Sequence, residues 1–345
     1  MKSSRWSIFV LVLSLLMAPS ANAWIRSPAT GFATLPAGAV NPEGITVDAA
    51  GNIYVTTFDP TGSTPGQVVV FSPSGKLLRQ VEVEGASPQL LGLAFHPTTG
   101  DLLVIDFGPV LGGEPGRVLK VDPSNGASSV FMTATGSAGL NALTFDAAGN
   151  VYVSDSFQGI IWKTGEAGGA GTAWLTNDLL KTTGIPPFGA NGLAFNRAGT
   201  ALLVANTGDD AVITVPVTNS GDAGTPAVLA YGINGADGLI TDADDNIWVV
   251  ANQSDEIVVL DKTGKVIAKL GDFSGIDGRG AAVGLLFPAS LVASGEFIYV
   301  TNLVLDLGAA FGLPTIDSQW AAKVTSYTVS KIKQHLPPIR ATNDH

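Results

Sequence analysis

Short runs in which apolar side chains alternate with polar or small ones recur along the whole chain, and they come in pairs. Ile45-Thr-Val47 and Ile53-Tyr-Val55 flank the segment Asp48-Ala-Ala-Gly-Asn52, and the same turn returns as Asp146-Ala-Ala-Gly-Asn150. Alternation at period two, bounded by Asp, Asn and Gly, predicts antiparallel strands joined by tight hairpins with a left-handed residue. The longer phrase that contains this pair occurs six times at intervals of roughly fifty residues. Its copies start at Glu43, Leu91, Asn141, Asn191 and Asp237, with a worn copy near Ala289. A third apolar run follows each of the first five pairs, at 67–71, 116–121, 159–162, 211–215 and 256–260. A fourth lies at 77–83, 129–132, 173–175, 227–231 and 266–270. Self-similarity at this period, with four strands per unit, predicts an all-β fold: a six-bladed β-propeller with four-stranded blades.

The last unit lacks a fourth strand. Gly31-Phe-Ala-Thr-Leu35 has the right pattern ahead of the first copy, so an N-terminal strand is expected to close the ring as the outer strand of the last blade. The 42 glycines and 20 prolines are what some two dozen turns require. The expected organisation is a secretory signal over 1–23, the propeller over 24–331 and a short tail over 332–345. Lys2 and Arg5 begin the signal, an apolar stretch from Ile8 to Met17 follows, and Ala21-Asn-Ala23 supplies a cleavage site before Trp24. A periplasmic or secreted protein with no membrane attachment after signal removal is the expected outcome. Between Asn302 and Val324 runs a mostly apolar insertion, long enough to expect a lid or cleft wall.

Composition narrows the chemistry. The formal net charge is −11, and loss of the signal segment leaves 16 basic against 29 acidic residues, a net charge of −13. Such a surface disfavours nucleic acid and anionic lipid and favours cations. The absence of cysteine excludes disulfides, thiol nucleophiles and zinc–thiolate sites. Of the three histidines, His96 occupies a hairpin slot and His335 and His345 lie near the C-terminus, so no serine–histidine triad is expected, and no Gly-x-Ser-x-Gly elbow occurs. The run 165–171 is glycine-rich but opens no helix, and 242–246 is the same hairpin as in other blades.

The first strand of each blade lines the channel of a propeller, so the first position of each repeat converges on the axis. Four of the six carry oxygen: Glu43, Asn141, Asn191 and Asp237. Two carboxylates and two amides carry a charge near −2, which suits a hard dication, calcium in preference to magnesium. The competing reading is polar side chains that are merely solvated in a wet channel mouth. Gly or Ala after each of the four favours the metal, because backbone can then crowd the axis.

These residues resemble the SMP-30/gluconolactonase/LRE-like family of six-bladed propellers, with paraoxonases as distant relatives. The likeness rests on Pro-Glu43-Gly-Ile, Ala-Asn191-Gly-Leu-Ala-Phe and Ala-Asp237-Gly-Leu, in blades one, four and five. It implies that Glu43, Asn191 and Asp237 hold the metal, with Asn141 contacting substrate or completing the ligand set. It further implies metal-assisted hydrolysis of a lactone or ester, with Asp237 as general base. Sugar-lactone members have an Arg two residues before the blade-three Asn, where this chain has Gly139, so a less polar lactone or ester is an equal expectation. The ends of the second strands place Asp106, Asp155, Asn206, Asn252 and Asn302 near the same rim, as supporting groups or as strand-end caps. The alternative function is a non-catalytic ligand- or protein-binding scaffold; a lyase-like propeller would be expected to show a central Glu or His base. Oligomeric state and substrate identity are not legible.

Overall fold

Each blade begins with a short strand that carries one ring position, followed by second and third strands rich in buried apolar residues. The computed structural model describes residues 27–108, 116–137 and 139–336. The expected signal segment 1–23 and the end of the tail, 337–345, lie outside the described residues. Blade one is Pro42–Val47, Ile53–Thr57, Gln67–Phe71 and Leu77–Glu82, paired in that order. Blades two to five begin with Leu90–Phe95, Leu140–Phe145, Ala190–Phe195 and Ala236–Thr241 and repeat the antiparallel meander. The second and third strands carry the core: every residue of Ile53–Thr57, Gln67–Phe71 and Glu256–Leu260 is buried. The fourth strands are largely exposed, as at Leu77–Glu82.

The last blade runs Pro288–Ser294, Phe297–Asn302, Thr328–Lys333 and, outermost, Thr30–Thr34. Thr30 pairs with Lys331 and Thr34 with Thr328, so the N-terminal strand closes the ring and covers an otherwise open edge. The third strand extends to Lys333 with Ile332 buried, two residues past the boundary of 331 read from the sequence. The glycine-rich run 165–171 is a loop, and its Gly169–Ala170 segment adds in parallel to Met132 and Thr133 at the outer edge of blade two.

The hairpins at the lower face share one knot. Asp48 accepts hydrogen bonds from the Ala50 and Asn52 amides at 2.9 and 2.8 Å and from the Asn52 and Tyr54 side chains at 2.8 and 3.0 Å. Asp146 repeats this with Tyr152, and Asp242 with the Trp248 indole at 3.0 Å. These bonds hold all three carboxyls below the usual range despite partial burial. In blade two His96 takes the slot, and its Nε2 lies 2.9 Å from the Gly149 carbonyl of the next blade. No helix among the described residues is long and apolar enough to cross a membrane.

Candidate metal centre and its cavity

Every first strand breaks register at the same place. The shift falls between Pro42 and Ile45, Leu90 and Leu93, Leu140 and Leu143, Ala190 and Leu193, Ala236 and Leu239, and Pro288 and Leu291. The first position of each repeat, Ala289 included, therefore sits inside a β-bulge, the device that re-aims a side chain out of the alternating pattern. The residue after it must be small. A Cβ at Gly44 would stand 2.3 Å from the Leu91 carbonyl oxygen, one at Gly192 2.5 Å from that of Asp237, and one at Gly238 2.8 Å from that of Ala289. Each blade thus leans its bulge on the backbone of the next. The Thr301 hydroxyl closes the circle by donating to the Glu43 carbonyl at 2.6 Å.

Glu43, Asn141, Asn191 and Asp237 line one cavity at the channel mouth, with Leu91 beside them. All four are 4 or 5% exposed. Supporting groups come from the ends of the second strands. Asn252 Nδ2 donates to Asp237 Oδ2 at 3.1 Å, and Asn191 Nδ2 donates to the Thr207 hydroxyl at 3.0 Å. Asn141 Nδ2 lies 3.4 Å from the Ser156 hydroxyl, which itself donates to the Ala190 carbonyl at 2.7 Å. Glu43 Oε2, Asp237 Oδ1 and Asn252 Oδ1 are buried without a hydrogen-bond partner.

Two buried carboxyls facing one space raise each other's cost of ionisation. Burial pushes Glu43 well above the usual carboxylate range, and the charge of Asp237 pushes it further. Burial lifts Asp237 to about 7, although hydrogen bonds from Asn252, Asn191 and the Gly238 amide pull the other way. A hard dication would remove this penalty, and oxygen atoms suited to one line the cavity: two unpartnered carboxylate oxygens and the amide oxygens of Asn141 and Asn191. Among the described residues no group of three or more His, Cys, Asp or Glu side chains gathers to hold a metal, so the amides are needed to complete this set.

Of the five strand-end residues expected near the rim, Asn252 alone lines the cavity. Asp155 is a cap: it accepts from the Gly139, Phe157 and Gln158 amides, the Gln158 side chain and the Trp162 indole. Asp106 accepts from Ser87 and the Gly108 amide and pairs with Arg117 at 2.9 Å. Asn206 holds the carbonyls of Leu179 and Lys181, and Asn302 contacts Gly284, Thr328 and Ser330. Ser156 and Thr207 were missed by the sequence reading. Their signal was a hydroxyl one residue beyond the strand-end polar group, in Asp155-Ser156 and Asn206-Thr207. His96 is buried away from this cavity, whose lining contains no histidine.

The insertion of blade six forms one wall. Leu303 and Leu305 line the cavity, and the short helices Leu307–Phe311 and Ser318–Ala321 follow. The Asp306 carboxylate caps the first by accepting from the Ala309 amide at 3.1 Å. Phe188, in the loop entering blade four, lines the cavity too and meets Phe311 of the insertion.

Residues 185–271 match the family model described as the SMP-30/gluconolactonase/LRE-like region. No curated protein sequence matches the chain. Among solved structures, a luciferin-regenerating enzyme is 15% identical with a TM-score of 0.59, covering 86% of this chain and 93% of its own. A putative gluconolactonase is 17% identical with a TM-score of 0.59, covering 89% of this chain and 92% of its own. The calcium-binding protein regucalcin from Agrobacterium tumefaciens is 17% identical with a TM-score of 0.57, covering 91% of this chain and 98% of its own. Segment 185–271, which carries Asn191 and Asp237, is thus an SMP-30/gluconolactonase/LRE-like region, set in a six-bladed ring that shares the fold of these solved structures.

Proposed function

We propose that the protein is an exported hydrolase of the lactonase or esterase type that depends on a divalent metal, with calcium the preferred ion. The observation that carries this reading is the buried pair Glu43 and Asp237, each with a carboxylate oxygen lacking a protein partner, in a cavity that also receives Asn141 and Asn191. Glu43, Asn191 and Asp237 would hold the ion, with Asn141 completing the set or orienting the substrate. A hard dication bound there would polarise an ester carbonyl and stabilise the oxyanion that develops on it.

The chain's own groups do the remaining work. Asp237 takes the proton of the attacking water as the water oxygen bonds to the carbonyl carbon, and returns it to the alkoxide as the C–O bond breaks. Asn252 holds Asp237 Oδ2 and so fixes which oxygen faces the cavity. The apolar walls exclude bulk water and strengthen each electrostatic contact at the floor. The substrate is a small lactone or ester, and neither nucleic acid nor membrane is a partner.

The test is hydrolysis of a panel of γ- and δ-lactones and aryl esters with and without a chelator. Turnover that a chelator abolishes and calcium restores supports the reading. Absence of turnover with any divalent ion transfers it to the alternative, a non-catalytic ligand- or protein-binding scaffold.

A further inference from the structure

The polar and apolar groups of the cavity are segregated. The polar lining comes from the ring positions and the ends of the second strands, and the rest of the lining is Phe58, Leu91, Phe188, Phe287, Leu303 and Leu305 with Pro186, without a Lys, Arg, His or Gln. Behind the walls an aromatic array continues from blade to blade. The Phe157 and Phe188 rings stack at 5.8 Å with 25° between their planes, and Phe107 meets Phe157 edge-on at 5.6 Å. Phe188 meets Phe311 of the insertion at 5.8 Å, and Phe58 meets Phe107 at 6.4 Å. Phe157 remains 49% exposed and Ile185 48% exposed.

The array also fills the space beside Gly139, two residues before Asn141. A Cβ at position 139 would stand 2.5 Å from the Phe157 ring, so that ring takes the room of any side chain there. A substrate hydroxyl against these apolar walls would then lose its water and gain no partner. An alkyl or aryl group in the same place would gain by burial against flat rings.

Resting on the hydrolase reading above, we infer that the substrate is a lactone or ester whose non-reacting part is an uncharged alkyl or aryl group, held by the walls of Phe58, Phe188 and Leu305, and not a polyhydroxylated sugar-acid lactone. The carbonyl reaches the oxygen-lined floor and the apolar part fills the upper cavity. Phe157 acts indirectly, as a positioning residue that fixes the Phe188 ring.

Two measurements separate this inference from the hydrolase reading. The first compares kcat/KM for a phenyl- or alkyl-substituted δ-lactone with that for a polyhydroxylated lactone of the same ring size, in the calcium-loaded protein. A preference of about tenfold or more for the apolar substrate is expected, the discrimination available to a buried apolar group. In F188L and F157A the KM for the apolar lactone should rise several-fold with kcat nearly unchanged, a split that general loss of structure would not produce. The second measures binding of a phenyl-substituted cyclic ketone, which cannot be hydrolysed, against a polyhydroxylated cyclic ketone by calorimetry. Binding of the phenyl ketone without turnover of any ester removes the hydrolase reading and leaves the apolar site standing. Turnover with equal or greater preference for the hydroxylated lactone, or tighter binding of the hydroxylated ketone, overturns the inference and leaves the hydrolase.

Discussion

The Thr301 hydroxyl donates to the Glu43 carbonyl at 2.6 Å across 258 positions of sequence, joining the last blade to the first at the level of the oxygen ring. Blade one uses the same contact, its Thr56 hydroxyl donating to the Leu91 carbonyl at 2.6 Å, while in blade three Ser156, just past the second strand, donates to the Ala190 carbonyl at 2.7 Å, one residue before the ring position. Thr301 and Thr56 of the second strands thus each grip the bulge of the neighbouring blade. Thr301→Val should remove the closing grip, lower stability by about 1–3 kcal/mol and weaken dication binding through Glu43. Urea unfolding and calorimetry on the same protein check both effects.

Asp237→Asn should leave the fold intact, weaken dication affinity at least tenfold and lower kcat by a factor of about 10² or more, as loss of both a ligand and the base requires. Unchanged calorimetric affinity would remove Asp237 from the ion's ligands.

Stability of the metal-free protein should fall as pH rises. The ordinary Asp value is about 3.9, and folding raises Asp237 to about 7, so the folded state favours the protonated form. That contribution is complete below about pH 4 and is lost progressively as pH climbs through 7. Glu43 is raised as well, and burial lifts Asp255 to about 8 and Asp317 to about 6, all acting in the same direction. Thermal unfolding in chelator should show a lower Tm at pH 8 than at pH 5.5. Calcium should stabilise most at the alkaline end, where the carboxylates it pairs with are ionised. A chelated protein whose Tm rises between these pH values would contradict the site's electrostatics.

Gly192→Ala tests the close approach of neighbouring bulges. The new methyl would stand 2.5 Å from the Asp237 carbonyl oxygen, and backbone cannot rotate away as a side chain can. A loss of about 1–3 kcal/mol in stability and weaker ion binding are expected. Gly165→Ala, with open space around it, should change neither quantity.

Asp155→Ala separates a cap from a ligand. Its carboxylate receives five hydrogen bonds that pin the loop after the second strand of blade three, so a loss of about 3 kcal/mol or more is expected by denaturant titration. Affinity for the dication should stay at the wild-type level, because Asp155 does not line the cavity.

The periodic phrase beginning at Glu43 made the blades, their number and the closing role of Thr30–Thr34 readable, because each copy carries the same alternation and turn chemistry. It also placed Glu43, Asn141, Asn191 and Asp237 at equivalent positions, and residues equivalent in a closed repeat must come near one another at its axis. The strand Thr328–Lys333 was harder to see, since Lys331 and Lys333 interrupt its apolar pattern and only its other face is buried.

The linear chain thus determined the ring and the candidates that meet in it, through local rules that act within a few residues. Tertiary structure alone decided which strand-end residues serve the floor. Asp155 pairs in register where blade five has Ala251 and caps a loop, whereas Asn252 stands one place further on, level with Ser156 and Thr207, and reaches Asp237. It also decided that the walls above are aromatic, because Phe58, Phe107, Phe157, Phe188 and Phe311 come from separate blades and the insertion. Such pairings depend on which side chains compete for the same volume between blades, and that competition exists only once the circle is closed.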